Sequence, residues 1–284
     1  MKQPRDILYF TIAAGGYTMY AAPYAAAALI TDPDAKVEIL VAPWRLAVAS
    51  PSMSRARAIF GLDRLNIRPV PDAYAGWARV PRGKRICGYG GRHPYGSIRW
   101  LEHPEFEASW VYICDCDLLC THPSWVARHL LISRKLNLPY SNIVRPPLPD
   151  GGGDQRRMSG CHFARHAVWY GSGTDRIRAE HRRRITAGDL NYYDERLLLR
   201  LAEQIAGLPH RRFTGKYTLR PLPGLHLSST RDPRDRLGWN VTPGTVAEYR
   251  RLTADPRWRE IAAVFDPEFV ALQRRLQEVI DAEY

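Results

Sequence analysis

The start of the chain alternates a buried strand, a glycine turn, a helix and a second strand. After Asp6, residues 7–13 are mostly apolar and rich in aromatic and β-branched side chains, so residues 6–13 are predicted to form a buried strand, and Ala14-Gly15-Gly16 forms the turn. An Ala-rich helix is predicted from Tyr17 to Thr31, followed by a second strand from Lys36 to Ala42. Two strands joined by a crossover helix are parallel neighbours in one sheet. The sequence therefore predicts an α/β fold with a mostly parallel, mixed sheet flanked by helices.

The glycine turn carries neither of the common phosphate-binding fingerprints. It does not match G-x-G-x-x-G, which binds dinucleotides, and it does not match the P-loop. No Lys or Arg adjoins Gly15-Gly16, although a nucleotidyltransferase would place a basic Gly-rich loop there. A nucleotidyltransferase therefore stays a weaker alternative within the α/β class.

Two acids follow a second buried strand in the middle of the chain. Trp110 to Cys114 is apolar and β-branched, and Asp115 and Asp117 come directly after it. Ligands bind at the carboxyl ends of strands in open α/β sheets. Two carboxylates this close repel each other unless a cation lies between them or one is protonated. The pair therefore indicates a hard divalent cation that also contacts a substrate phosphate, although an acidic turn is the simpler interpretation.

Cysteine spacing around these acids argues against zinc. The spacing Cys114-x-Cys116-x-x-x-Cys120 differs from the usual C-x-x-C knuckle, and no second Cys/His pair follows. Because side chains alternate along an extended chain, the cysteines are expected to face the packed side and the acids the other side.

Charge and composition define the class of partner. The chain has 284 residues, 45% of them hydrophobic and 25% charged, with a formal net charge of +12. Such a charge favours anionic partners, namely nucleic acid, an anionic membrane surface or phosphorylated substrates. No apolar run approaches the roughly 18 residues of a membrane span, and no secretory signal is evident. A cytoplasmic protein is expected, with peripheral contact to the inner membrane left open.

Further elements follow the acidic turn. Helices are expected from Pro123 to Ser133 and from Asp189 to Ile205, and a strand from Thr218 to Leu222. Met158-Ser159-Gly160 belongs to a strand that Gly160 breaks, and a glycine in a strand often marks close approach of a ligand. Apolar residues at helical spacing predict short helices after Thr245.

The order and spacing of these elements over residues 6–231 resemble a GT-A fold glycosyltransferase, nearest to metal-dependent retaining families. The resemblance implies a Rossmann-like catalytic domain at 1–240, divided into a nucleotide-sugar-binding half (1–122) and an acceptor half (123–240). A C-terminal helical extension would cover 241–284. It also implies an enzyme that moves a hexose from a UDP-sugar to a glycan or lipid-linked acceptor, as in polysaccharide biosynthesis, with Mn²⁺ or Mg²⁺ as cofactor and no nucleic-acid partner.

The resemblance assigns a role to each candidate site residue. The metal would be held by Asp115, Asp117 and His226. Donor-binding positions would be Thr11, Ala13, Tyr17, Arg99, Asp115, Ser159, Gly160, His162 and Arg231. Asp194 and Glu195 would act at the anomeric carbon, as nucleophile or as base and acceptor anchor, with Glu195 favoured. The Asp or Asn that is usual in the first turn is missing here, which leaves the base preference open. The outcome, retaining or inverting, also stays open.

A nucleic-acid-binding protein is the alternative from another class. The Arg-rich stretch at 155–184 favours it. However, the sequence shows no helix-turn-helix, zinc-finger or RNA-binding signature.

Overall fold

The computed structural model describes residues 6–79, 94–122, 124–146, 156–189, 194–216, 221–227 and 242–283. The strands are β1 (Ile7–Ala14), β2 (Lys36–Ala42), β3 (Leu65–Pro69), β4 (Trp110–Ile113), β5 (Leu118–Cys120), β6 (Tyr140–Ser141), β7 (Val144–Arg145), β8 (Arg157–Met158), β9 (His162–Arg165) and β10 (Gly224–His226). The α-helices are α1 (Ala21–Thr31), α2 (Trp44–Val48), α3 (Pro51–Phe60), α4 (Ile98–Leu101), α5 (Trp125–Leu136), α6 (His166–Trp169), α7 (Asp175–Thr186), α8 (Glu195–Ala206), α9 (Pro243–Ala254), α10 (Pro256–Ala262) and α11 (Pro267–Glu283).

The central element is a six-stranded sheet with the strand order β3-β2-β1-β4-β9-β6. β1 runs parallel to β4, and β2 runs parallel to β3. β9 is antiparallel to both β4 and β6. Helices flank this mixed sheet, and three of them end the chain. The predicted α/β class with a helical C-terminal portion is confirmed.

The chain divides into two compact units, each assembled from three segments. Unit 1 is drawn from Met1–Ile12, Val70–Cys114 and Ala127–Pro221. Unit 2 is drawn from Ala13–Pro69, Asp115–Val126 and Leu222–Tyr284. The division expected from the sequence has a different form, because each of its parts is one continuous segment, with boundaries at 122 and 240.

The core of unit 1 combines aromatic rings with a buried arginine. Trp110 of β4 stacks on Phe163 of β9, with ring centroids 4.8 Å apart. Arg178 of α7 is buried and donates hydrogen bonds to the backbone oxygens of Trp100 and Trp169. Burial lowers the pKa of Arg178 to about 10. This guanidinium ties α7 to α4 and α6, because the described bonds satisfy carbonyls at the ends of both short helices.

The core of unit 2 is built around the Ala-rich helix α1. Its residues from Ala21 to Leu29 are all buried, and small side chains let neighbouring elements approach closely. α3 begins with Pro51 at its first position, and the Ser50 hydroxyl accepts a hydrogen bond from the Met53 N–H as an N-cap. Phe269 of α11 meets Tyr20 edge to face at 5.9 Å. The terminal helices therefore belong to this core, as their helical spacing predicts.

Several local predictions differ from the structure. α8 begins at Glu195, so the predicted start at Asp189 was wrong; residues 190–193 lie outside the described residues. The chain before α1 is a 3-10 turn over Gly15–Tyr20. Most of the strand expected at 218–222 lies outside the described residues, and the described strand of this region is β10. β5 was not predicted, because a three-residue strand carries no readable periodicity.

Among the described helices, none has both the length and the apolar character needed to cross a membrane.

Candidate functional site

A tight turn presents the two acids of the Asp-Cys-Asp sequence. The Leu118 N–H donates to the Asp115 oxygen at 3.3 Å, and β5 starts at Leu118. Cys114 and Cys116 are buried, and the Cys116 Sγ donates to the Tyr17 carbonyl at 3.8 Å. The cysteines therefore pack as the alternation predicts. Asp115 is half-buried, whereas Asp117 is 2% exposed, so the two acids do not simply share one open face.

Antiparallel pairing of β5 with β10 brings His226 to this turn. His226 lies opposite Leu118, and Gly224 lies opposite Cys120. The Leu227 N–H donates to the Asp117 carbonyl at 2.8 Å, which fixes the two segments directly beside the acids. A Cβ atom on Gly224 would collide with the Leu119 carbonyl and lie 2.6 Å from the Thr121 nitrogen. Gly224 thus permits a close backbone approach that a larger residue would block.

Asp115, Asp117 and His226 form a three-residue cluster within unit 2. One ligand atom from each residue can be chosen so that all lie within 4.8 Å of one another. The His226 Nε2 lies 3.7 Å from the Asp117 Oδ1. Carboxylate oxygens suit Mg²⁺ and Mn²⁺, and an imidazole shifts the donor set toward Mn²⁺. The residues therefore fit a hard divalent cation.

The predicted nucleotide-binding residues lie along the first strand and the turn after it. The Thr11 hydroxyl is buried and donates to the Cys114 carbonyl at 2.7 Å, which joins β1 to the end of β4. Ala13 is buried. The Tyr17 side chain is 41% exposed, and its ring lies 5.8 Å from the Tyr20 ring. Of these three, Tyr17 has the exposure that stacking on a base requires.

Asp194 is held within unit 1 by groups from α4 and the residue before it. The Asp194 Oδ1 accepts from the Arg99 Nη2 at 2.9 Å and from the Trp100 indole N–H at 3.2 Å. The Asp194 N–H donates to the Ser97 hydroxyl at 2.7 Å. Its φ of 50° is unusual for a residue other than glycine, and such strain persists only where the surroundings fix it. Arg99, predicted to lie near the donor, is 4% exposed and paired with Asp194.

Glu195 accepts from two arginines and a backbone amide. The Arg145 Nη1 lies 2.8 Å from one carboxylate oxygen, and the Arg157 Nε lies 2.9 Å from the other. The Gly160 N–H donates to the Oε1 at 3.3 Å. Arg145 and Arg157 face each other in the β7–β8 pair. No local sequence pattern identifies these two arginines as partners of Glu195, because their pairing depends on contacts between distant segments.

His162 and Ser159 are fully buried in unit 1. The His162 ring lies 4.3 Å from the Trp169 ring and 5.1 Å from the Tyr140 ring, and its Nδ1 accepts from the Asn142 side chain at 3.2 Å. Burial lowers the pKa of His162 to about 3. The Ser159 hydroxyl accepts from the Cys161 N–H at 3.3 Å. Their predicted contact with a sugar stays a prediction, and Arg231 lies outside the described residues.

Comparison with known proteins gives likenesses of structure only. No protein-family model matches the chain, and no curated protein matches it. The solved structures similar to it include the galactosyltransferase LgtC with donor and acceptor sugar analogues, at 16% identity and a TM-score of 0.43, covering 94% of this chain and 99% of that one. The glycosyltransferase GlyE of Streptococcus pneumoniae is similar at 12% identity and a TM-score of 0.44, covering 97% of this chain and 64% of that one. The bifunctional IspDF of Campylobacter jejuni is similar at 8% identity and a TM-score of 0.37, covering 71% and 48%.

Proposed function

We propose that this protein is a glycosyltransferase that uses a UDP-sugar donor and a divalent cation. The observation that carries the proposal is the cluster of Asp115, Asp117 and His226, whose ligand atoms lie within 4.8 Å of one another. Two of its members directly follow a buried strand of an α/β sheet, the usual position of nucleotide sites in such folds.

Each member of the cluster has a defined part in binding. Asp115 and Asp117 supply the negative charge that attracts the cation, and His226 supplies the neutral nitrogen donor that favours Mn²⁺. A bound cation of this kind would neutralise charge on a departing diphosphate. The buried backbone bond from Leu227 to Asp117 keeps the imidazole beside the acids.

The donor base would stack on Tyr17, whose ring is exposed in the turn after β1. Arg231 would add a persistent cation for the diphosphate, as the resemblance implies. Asp194 and Glu195 are the candidate acids for the anomeric carbon, and a retaining outcome with a glycan or lipid-linked acceptor completes the proposal.

The test measures donor hydrolysis and cation-dependent binding. UDP-galactose, UDP-glucose, UDP-GlcNAc and UDP-GalNAc are incubated with the protein, with and without Mn²⁺, and UDP release is measured. We expect one donor to be hydrolysed only with Mn²⁺. UDP with Mn²⁺ should also raise the melting temperature, because ligand at 100 times its Kd stabilises the folded state by about 2.7 kcal/mol. Absence of both effects would exclude the proposal.

A further inference from the structure

Glu195 occupies a position in which its whole carboxylate is already engaged. Its two oxygens accept from the guanidinium groups of Arg145 and Arg157 at 2.8 and 2.9 Å. The side chains of the three residues are 14–21% exposed, so solvent screens these pairs only partly. A desolvated carboxylate between two cations is strongly held and has lost much of the lone-pair density that a nucleophile or base needs.

The same carboxylate reaches the backbone of the glycine turn. Gly160 lies between β8 and β9, and its N–H donates to Glu195 at 3.3 Å. The neighbours of Gly160 are bonded elsewhere: Asn142 donates to the Ser159 carbonyl at 3.0 Å and accepts from the Ser159 N–H at 3.2 Å, and the Cys161 N–H donates to the Ser159 hydroxyl at 3.3 Å. Within this turn, the hydrogen bond of the Gly160 N–H is therefore the one that depends on Glu195.

The two arginines belong to the antiparallel pair β7–β8, and β8 leads into the turn that contains Gly160. Arg157 is in β8 and Arg145 lies opposite it in β7. Glu195 is the first residue of α8. Its carboxylate therefore joins the start of this helix to the β7–β8 pair and to the Gly160 peptide that follows β8. Removing Glu195 would leave two partly buried guanidinium groups facing each other without their carboxylate, which is costly.

We infer that Glu195 is a positioning residue, which fixes the Gly160 peptide through the Arg145–Glu195–Arg157 cluster, and is not the group that reacts at the sugar. The inference rests on the proposed function for its catalytic consequence, since the Gly160 strand is the expected sugar site. It gives the two candidate acids separate tests: Glu195 holds the backbone in place, and Asp194, whose Oδ1 itself accepts from Arg99 and Trp100, has still to be tested at the anomeric carbon.

The test compares Glu195→Gln and Glu195→Ala, with Glu203→Gln as the matched control. Glu203 is on the same helix and is half exposed, with its nearest described cation, Arg200, at 3.5 Å. A glutamine keeps an acceptor oxygen for the Gly160 N–H, but it loses the charge and replaces the second acceptor oxygen with an NH2 donor. We expect Glu195→Gln to keep kcat within about tenfold of the parent, because the Gly160 N–H keeps its acceptor although the bonds to both arginines are weakened. Glu195→Ala should mainly raise the KM for the sugar donor and leave the Kd for UDP unchanged.

A reacting carboxylate would behave differently. Its conversion to glutamine should lower kcat by more than about a hundredfold at an unchanged melting temperature. Azide added to Glu195→Ala should then restore turnover and yield a glycosyl azide. Either result would overturn the inference. Arg157→Met is a second, independent test of the positioning role. This variant should raise the KM for the sugar donor as Glu195→Ala does, and a parental KM would contradict that role.

Hydrogen–deuterium exchange at the Gly160 amide tests the inference without any turnover. Exchange should become faster in Glu195→Ala and in Arg157→Met, return close to the parental rate in Glu195→Gln, and stay parental in Glu203→Gln. Unchanged exchange in Glu195→Ala would exclude the positioning role. If the parent protein hydrolyses no nucleotide sugar, the proposed function fails while this exchange result still decides the role of Glu195.

Discussion

The Asp117 Oδ1 and the His226 Nε2 lie 3.7 Å apart, although one residue follows a central strand and the other comes late in the chain. This separation is too long for a hydrogen bond between the two atoms. Pairing of β5 with β10 sets it, since His226 faces Leu118, the neighbour of Asp117. The short distance between Asp117 and His226 thus depends on the register of the two strands as much as on the side chains themselves.

Replacement of Asp117 should remove cation binding. Asp117→Asn keeps the shape of the side chain but removes the charge that a hard cation requires. We expect the Mn²⁺-dependent rise in melting temperature with UDP to disappear. The exposed Asp63 provides the control, and Asp63→Asn should respond as the parent does. A full Mn²⁺ response in Asp117→Asn would show that the cation binds elsewhere.

Replacement of His226 should change which cation the protein prefers. His226→Gln exchanges a nitrogen donor for an oxygen donor, and nitrogen suits Mn²⁺ better than Mg²⁺. We expect the affinity for Mn²⁺ to fall by about tenfold or more, with a smaller loss for Mg²⁺. Calorimetric titration with each metal measures this. His210, which is exposed, serves as the control through His210→Gln. Equal losses for both metals would contradict a ligand role for the imidazole.

Tyr17 should contribute to nucleotide affinity through its ring. Base stacking on an aromatic side chain is worth about 1–3 kcal/mol, so Tyr17→Ala should raise the Kd for UDP by about fivefold to a hundredfold. Tyr17→Phe keeps the ring and should bind UDP as the parent does. The measurement is a fluorescence or calorimetric titration in the presence of Mn²⁺. A parental Kd in Tyr17→Ala would remove this residue from the site.

A single methyl group at Gly224 should disturb the metal site from a distance. A Cβ there would collide with the backbone of Leu119 and Thr121, so β10 could not keep its place beside β5. Gly224→Ala should lower the free energy of unfolding by about 1–3 kcal/mol and weaken Mn²⁺ binding. Gly173 has no atom within 4 Å of its Cβ position, and Gly173→Ala is the control. Parental Mn²⁺ binding in Gly224→Ala would show that this close approach is not required.

Two buried histidines should make the folded state sensitive to mild acid. Burial lowers the pKa of His129 and of His162 to about 3, whereas an unfolded chain has a histidine pKa near 6.5. Because the unfolded chain takes up these protons first, stability is present above pH 6.5 and is lost as the pH falls toward 3. Protonation of each histidine in the unfolded chain should lower the free energy of unfolding by about 2 kcal/mol between pH 7 and pH 5.

Urea unfolding at pH 7, 6 and 5 measures this loss. His129→Leu should reduce the slope of unfolding free energy against pH, whatever its effect on absolute stability. A stability that does not change between pH 7 and pH 5 would contradict the neutral, buried state of both rings.

The sequence was sufficient for the α/β architecture, because its strands are long enough to show their pattern. Residues 7–13 and 36–42 are mostly apolar segments separated by an Ala-rich helix, and the structure has β1, α1 and β2 there. The acids after Trp110 to Cys114 were also readable, since a charged pair directly after a buried strand stands out. Both signals are local in the chain.

Other features depend on contacts that no local pattern records. β5 and β10 have three residues each, and only their mutual pairing stabilises them as strands. The helix start at Glu195 follows from the bonds that Asp194 makes with Ser97 and Arg99. The arginines around Glu195 belong to strands of two residues, which are too short to predict. Long-range pairing therefore decided these parts of the structure.

The pairing of β10 with β5 also decides when Asp115, Asp117 and His226 can come together during protein synthesis. Asp115 and Asp117 leave the ribosome well before His226, at the usual 5–20 residues per second. Until β10 has emerged and paired, a nascent chain presents two carboxylates without their imidazole. The third candidate ligand is supplied by a segment that is translated roughly 110 residues after Asp117. Donor binding would consequently report that the late segment has been folded into place.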